Sequence, residues 1–282
     1  MSQHSEDQVR TAVRENYAKV AQSDGSCGCA PGCCAPGGGV DAAMASQALG
    51  YSAGDVTGVP QGANLGLGCG NPLAMAALQQ GETVLDLGSG AGFDCFLASA
   101  RVGPTGRVIG VDMTPEMITK ARANAKTAGA RNVEFRLGEI ERLPVADGSV
   151  DVILSNCVIN LAPDKKAVFE EAFRVLKPGG RLAISDIVQT GHMPDALKEQ
   201  VDALVGCVAG AAGVEELESM LRAAGFKDVT VQVKPESGSF ISQWMPGTGA
   251  ENHVASATVE ARKAGAARGC CGPSCCASEE TA

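Results

Sequence analysis

The stretch Thr83-Val-Leu-Asp-Leu-Gly-Ser-Gly-Ala-Gly92 constrains this chain more than any other. Thr83 to Leu87 reads as a short apolar strand, Gly88, Gly90 and Gly92 follow at alternate positions, and a helix comes next. Glycine is needed where the backbone must turn sharply and let a ligand approach with no Cβ in the way. A second strand, Arg107 to Val111, ends in Asp112, 24 residues after Gly88. A carboxylate there accepts hydrogen bonds from both hydroxyls of a ribose. Strand, glycine loop, helix and distal carboxylate together describe a nucleoside-cofactor site.

The loop departs from the dinucleotide fingerprint, because Phe93 stands where a third spaced glycine belongs. Asp86 lies inside the turn, where it would repel a pyrophosphate and attract a cation. These features fit S-adenosylmethionine better than NAD. The 282 residues suffice for a full α/β core plus an accessory region, and with aromatics at only 4% that core is mostly aliphatic. A net charge of −9 without any basic run argues against nucleic acid or an anionic membrane as partner. Met1 to Asp7 has neither a basic nor an apolar segment of a secretion signal, and the longest apolar run, Ala203 to Val214, is too short and glycine-rich to span a bilayer. The expected compartment is the cytoplasm.

Twelve cysteines in such a chain need a reason other than a disulfide framework. Eight fall in two terminal groups, Cys27, Cys29, Cys33 and Cys34 near one end and Cys270, Cys271, Cys275 and Cys276 near the other. Neither has the paired spacing of a structural zinc site, although close thiols on loops can capture a thiophilic ion. Cys69, Cys95, Cys157 and Cys207 stand singly.

Along the chain, Glu6 to Gln22 reads as an amphipathic helix with Val9, Val13, Tyr17 and Val20 on one face, and Tyr17 is a candidate cover for the cofactor. Ser23 to Val40 is too rich in Gly, Pro and Cys for regular structure. Asp41 to Leu49 reads as a short helix, and Pro72 starts another running through Gln79. A βαβ rhythm follows: a helix to Arg101, the strand ending at Asp112, a helix from Pro115 to Ala128 capped by Thr114, and strands Val133–Leu137 and Val150–Ser155. Asp164 caps a helix that stops at Lys177-Pro-Gly-Gly180, ahead of a strand from Arg181 to Val188. Cys95 points away from the apolar face of its helix and reads as non-ligating. Pro194 to Val208 is expected to be a helix with Cys207 at the edge of its apolar stripe, followed by a helix from Val214 and strands near 229–233 and 254–259. In such sheets ligands bind at the carboxyl ends of the strands, where strand order reverses. The first and fourth strands should flank that point, with Cys157 facing the glycine loop.

The segments Gly68-Cys-Gly-Asn-Pro72, Leu85-Asp-Leu-Gly-Ser-Gly-Ala-Gly-Phe-Asp-Cys95, Gly110-Val-Asp-Met-Thr-Pro-Glu-Met117, Ser155-Asn-Cys-Val-Ile-Asn-Leu161 and Gly206-Cys-Val-Ala-Gly-Ala211 resemble the arsenite S-adenosylmethionine methyltransferase family. The resemblance runs from about Val9 to Val259. It implies a Rossmann-like α/β methyltransferase sheet with helices on both faces. It also implies that Cys69, Cys157 and Cys207 bind trivalent arsenic as thiolates, and that Asp86, Gly88, Ser89, Gly90, Gly92, Asp112, Met113, Glu139, Ile140 and Asn156 line the cofactor site. Arsenite or its thiol conjugate would be the substrate, S-adenosylmethionine the methyl donor, and glutathione or a thioredoxin-type protein the reductant. The expected division is 1–80 for N-terminal helices and the Cys/Gly-rich loop, 81–190 for the cofactor domain, 191–262 for an arsenic-binding region and 263–282 for a flexible tail. Which terminal cysteine would match the additional one of some members stays open. A carbon or oxygen methyltransferase, with His192 as base, and a non-catalytic metalloid-binding thiol protein are the competing readings.

Overall fold

The computed structural model describes residues 5–22, 41–193, 207–208, 210–244 and 247–265. Helix α1 (Glu6–Gln22) comes first, then three short helices, α2 (Ala42–Ala48), α3 (Ala53–Thr57) and α4 (Leu73–Ala76). The alternating core runs β1 (Thr83–Leu87), α5 (Phe93–Val102), β2 (Arg107–Asp112), α6 (Pro115–Ala128), β3 (Val133–Leu137), β4 (Val150–Asn156), α7 (Lys165–Val175) and β5 (Leu176–Gln189). The remainder is β6 (Ala212–Gly213), α8 (Val214–Ala223), β7 (Lys227–Lys234), α9 (Gly238–Trp244) and β8 (Val254–Arg262).

All eight strands join one sheet in the order β3-β2-β1-β4-β5-β8-β7, with β6 beside the end of β5. The first five are mutually parallel, β8 runs antiparallel to β5, and β7 antiparallel to β8. β1 pairs with both β2 and β4, so strand order reverses there and the carboxyl ends of β1 and β4 open a crevice. The strands read as apolar runs because both faces are covered. Leu85, Leu87, Ile109, Val111 and Ile153 pack with Phe169, Val175, Leu217 and Leu221 on one side. Val84, Val108, Val152 and Leu154 pack with Phe96, Leu97, Ile118 and Ala121 on the other. The period-2 alternation of the strands makes this partition.

Four expectations change. The helix capped by Asp164 ends at Val175, and Lys177 to Gly180 lie inside β5 and do not precede it. The helix after Pro72 stops at Ala76, because Ala77 takes a left-handed conformation (φ 46°). Thr114 occupies the cap position but makes no side-chain cap bond; its N–H is given to Asp112 Oδ1 at 2.8 Å. Cys207 and Val208 are not helical: they lie in a turn with Cys207 at φ 67°, which a right-handed helix cannot contain. The rest of the expected helix from Pro194, the segment Ser23 to Val40 and the tail beyond residue 265 lie outside the described residues.

Candidate active site

The loop after β1 is built for close approach. A Cβ on Gly92 (φ 99°) would stand 2.7 Å from Phe135 and 2.8 Å from Phe96, so only glycine fits between loop and core. Gly90 (φ 51°) is the opposite case, with nothing within 4 Å of its Cβ position, which leaves room for a ligand. Ser89 Oγ is buried without a partner among the described residues, a state that native proteins keep for a ligand or water. At the end of β2, Asp112 accepts the N–H of Gly90 at 2.9 Å through Oδ2 and that of Thr114 at 2.8 Å through Oδ1. Each oxygen keeps a lone pair for a ribose hydroxyl. Burial raises the Asp112 carboxyl, against the lowering effect of those N–H donors.

Beneath the loop lies an acidic network that the sequence names only in part. Asp86 is buried and its carboxyl is raised by burial, then by Asp94, while the Cys95 thiol donates to its Oδ2 at 3.2 Å. Asp94, in the first turn of α5, accepts the Tyr51 hydroxyl at 2.6 Å. Burial pushes Asp94 up to about 6, against the Tyr51 and Asn156 donors. Burial and Asp94 push the Tyr51 phenol up. Tyr51 therefore stays neutral, and a cationic ligand would draw the raised carboxyls of Asp86 and Asp94 back toward their ionised form.

Asn156, the last residue of β4, joins this network to Cys69. Its Nδ2 donates to Gly70 O at 2.9 Å, to Tyr51 Oη at 3.1 Å and to Asp94 Oδ2 at 3.3 Å. Its Oδ1 accepts the Cys69 N–H at 3.0 Å. One amide thus holds the cysteine-bearing loop against the acidic pocket.

The three cysteines come from distant segments: the loop before α4, the residue after β4 and the turn before β6. Cys157 has φ 59°, and its N–H donates to Ser185 O at 2.8 Å. Cys69 Sγ lies 3.5 Å from Ser185 O, and Cys207 Sγ lies 2.8 Å from Cys157 O. The neighbouring Cys207 thiol, and after it the Cys69 thiol, hold the Cys157 thiol down to about 5. Its partners go the other way. Burial, followed by the bond to Cys157, raises Cys69, and the bond to Cys157, followed by burial, raises Cys207. The cluster near neutral pH is one thiolate flanked by two thiols. Asp186 on β5 completes it: donor atoms of Cys69, Cys157 and Asp186 all lie within 4.8 Å of one another. Burial, then the charge of Cys157, pushes Asp186 up to about 8.

Apolar side chains connect the two halves. Met113, next to Asp112, and Cys157 both pack against the small cluster of Val13, Leu161 and Cys207, and Tyr17 of α1 packs against this cluster as well as the one that includes Ala91 of the glycine loop. Helix α1 is held over the crevice by Arg10, paired with Glu141 at 3.2 Å and Glu139 at 3.8 Å, and by Arg14, paired with Glu139 at 3.5 Å. Beside them a cleft of about 400 Å³ is lined by Arg14, Met113, Leu137, Gly138, Glu139 and Arg142. Glu139 thus faces both α1 and the cleft, whereas Ile140 is buried in the core. Cys95 does not point away from the apolar face as expected: it is fully buried in the core with Phe96 and Leu97, but its thiol donates to Asp86 and stays out of the sulfur cluster. Tyr51, Asp94 and Asp186 are the residues that sequence reasoning leaves unassigned. The available signal for Asp186 is a carboxylate inside the apolar run Ile184-Ser-Asp-Ile-Val188 at the end of a central strand.

Residues 78–225 match a family model described as a methyltransferase domain. An arsenite methyltransferase of Halobacterium salinarum is 55% identical over 266 residues, spanning 91% of this chain and 67% of its own length. One from Aquipseudomonas alcaligenes is 46% identical over 168 residues, 57% of this chain and 48% of the relative, so the match covers about half of that protein. Among solved structures, the arsenic(III) S-adenosylmethionine methyltransferase CrArsM of Chlamydomonas reinhardtii superposes with a TM-score of 0.57 at 31% identity, covering 82% of this chain and 74% of that one. Sheet order, glycine loop and relatives agree, and the chain belongs to the arsenite methyltransferase family of S-adenosylmethionine-dependent enzymes.

Proposed function

We propose that the chain transfers methyl groups from S-adenosylmethionine to trivalent arsenic held by Cys69, Cys157 and Cys207. The observation that carries this reading is the meeting of three thiols from distant segments beside a nucleoside-type glycine loop. Asp86, Gly88, Ser89, Gly90, Gly92, Asp112, Met113, Glu139, Ile140 and Asn156 are assigned to the methyl donor. The open space over Gly90, the orphaned Ser89 hydroxyl and the acidic floor fit such a ligand. Bound there, S-adenosylmethionine would supply an electrophilic sulfonium methyl.

The residues of the chain do the rest. The Cys157 thiolate is the first nucleophile toward the neutral trihydroxide. Each new sulfur–arsenic bond releases one hydroxyl, which leaves as water with a proton from a thiol or from solvent. Three soft sulfurs then hold arsenic as a pyramid with an unshared pair. No proton has to leave that pair, so no general base is required. The contribution of the protein is positioning, which Asn156 serves by tying the Cys69 loop to the acidic pocket. Transfer of the methyl group to the unshared pair would break the donor's S–CH3 bond, leave S-adenosylhomocysteine as a neutral thioether and raise arsenic formally to its pentavalent state. An external thiol reductant, glutathione or a thioredoxin-type protein, returns it to the trivalent state. The region 191–262 is assigned to substrate because it contributes Cys207. The four described cysteines are free thiols, which suits the reducing cytoplasm; no helix among the described residues is long and apolar enough to cross a membrane.

The test is arsenic speciation after incubation with arsenite, S-adenosylmethionine and thiol. Methylated arsenicals are expected from the parent chain. Their absence, with turnover of an organic acceptor instead, would favour a carbon or oxygen methyltransferase. Tight arsenite binding without any turnover would favour a sequestering protein.

A further inference from the structure

Pyramidal arsenic takes three donors and keeps one position for its unshared pair. This cluster holds a fourth donor. Asp186 stands within 4.8 Å of the Cys69 and Cys157 sulfurs, and Cys207 is hydrogen-bonded to Cys157. We propose that Cys69, Cys157, Cys207 and Asp186 also form a tetrahedral site for Zn²⁺, which competes with arsenite for the same sulfurs. The proposal rests on the three-sulfur reading for the identity of the donors, but not on methyl transfer.

The donor set and its support fit the ion. Zinc is four-coordinate with sulfur and carboxylate ligands, and Zn–S bonds of about 2.3 Å give donor–donor edges of about 3.8 Å. Donors already within 4.8 Å have to close by about 1 Å at most. Cys207 stands outside that group of three: its sulfur sits 2.8 Å from the Cys157 carbonyl oxygen and has to leave it to become the fourth donor. The carboxylate is held for the purpose: Oδ1 accepts the Ile187 N–H at 2.8 Å and Asn160 Nδ2 at 2.9 Å, and Oδ2 accepts the Ile159 N–H at 3.0 Å. Oδ2 so retains a lone pair, and outer-shell bonds of this kind orient a metal-binding carboxylate. Three thiolates and a carboxylate around Zn²⁺ carry a net charge of −2. The Lys165 ammonium, close enough to act on both Asp186 and Cys207, offsets part of it. Asp186 would contribute nothing to a neutral arsenic trithiolate, so its removal should separate the two ligands.

The experiment uses the full chain with the eight terminal cysteines changed to serine, reduced and metal-free. Cd²⁺ serves as a spectroscopic probe through its thiolate charge-transfer absorption, and Zn²⁺ is added to displace it. One equivalent of Zn²⁺ should bind, and arsenite should displace it. Asp186→Asn should weaken Zn²⁺ by about tenfold to a hundredfold and leave arsenite affinity within about threefold. X-ray absorption at the zinc edge of the parent should show three sulfurs and one oxygen, and this reading stands even if Asp186→Asn fails to fold. In methylation assays Zn²⁺ should raise the KM for arsenite without changing kcat. Unchanged Zn²⁺ affinity in folded Asp186→Asn, a zinc shell lacking oxygen, or no binding after removal of the terminal thiols would each overturn the site. A chain that binds Zn²⁺ in this geometry yet never methylates arsenic would overturn the proposed activity and leave the zinc site intact.

Discussion

Cys157 and its two thiol neighbours set the reactivity of the cluster. With the Cys207 and Cys69 thiols beside it, the Cys157 thiol is held down to about 5, far below an ordinary thiol. Its alkylation by iodoacetamide should therefore stay level from pH 8 to about 6 and fall about tenfold per unit below about 5. Mass spectrometry of the Cys157 peptide in a chain without terminal cysteines reads this directly; a rate that climbs toward pH 9 would contradict it. Cys157→Ser or Cys207→Ser should abolish methylarsenic formation and leave S-adenosylmethionine binding nearly unchanged by calorimetry. Parent-level methylation by both variants would remove the three-sulfur site. Asn156→Ala strips partners from the Cys69 N–H and the Gly70 carbonyl, at a cost of about 1–3 kcal/mol for each buried group left unpaired. Unlike the cysteine variants, it should weaken both ligands, by calorimetric titration of each.

At the level of elements, α1 is a latch whose ion pairs join it to the loop after β3. Arg10 is largely enclosed and meets Glu141 and Glu139 at once, a better arrangement than an isolated surface pair. Arg10→Ala should raise the KM for S-adenosylmethionine by about two- to fivefold with little change in kcat, and added salt should narrow the difference between variant and parent. Most elements can be read from the sequence because their signals are local: alternating apolar strands, Asp164 as a cap, Pro115 at a helix start. The Asp164 side chain does accept the Ala167 N–H, at 3.0 Å. The misread elements have signals that local pattern does not carry. Ala77 looks helical yet turns left-handed, and Cys207 sits on an apolar periodicity that a positive φ interrupts. Helix α3 is marked only by the short Ser52–Asp55 capping box. The site divides in the same way. The glycine loop and Asp112 announce themselves by spacing, and the single cysteines stand apart from the terminal eight. That three of those cysteines meet comes from the family resemblance, because convergence across sequence separations of 50 and 88 residues leaves no local trace. Tyr51 and Asp94 escape because each looks like ordinary sequence until the fold buries it, whereas Asp186 is marked only by its place inside an apolar run.

Across the whole molecule, the sulfur cluster fastens together three parts of the chain: the approach to β1, the end of β4 and the approach to β6. A ligand bonded to all three binds the folded state and not an extended chain. At a hundred times its Kd it should add about 2.7 kcal/mol of stability, seen as a rise of several degrees in Tm for the chain lacking terminal cysteines. Cys207→Ser should lose most of that rise. Asn156 adds a consequence of its own. Its amide oxygen holds the Cys69 loop and its amide nitrogen reaches Asp94, so one side chain reports to both binding partners. Thermodynamic linkage then requires reciprocity: whatever factor the methyl donor applies to the Kd of arsenite, arsenite must apply to the Kd of the methyl donor. Order of addition would in that case reflect a shared hinge of one amide, and the two ligands would answer each other even when no methyl group moves.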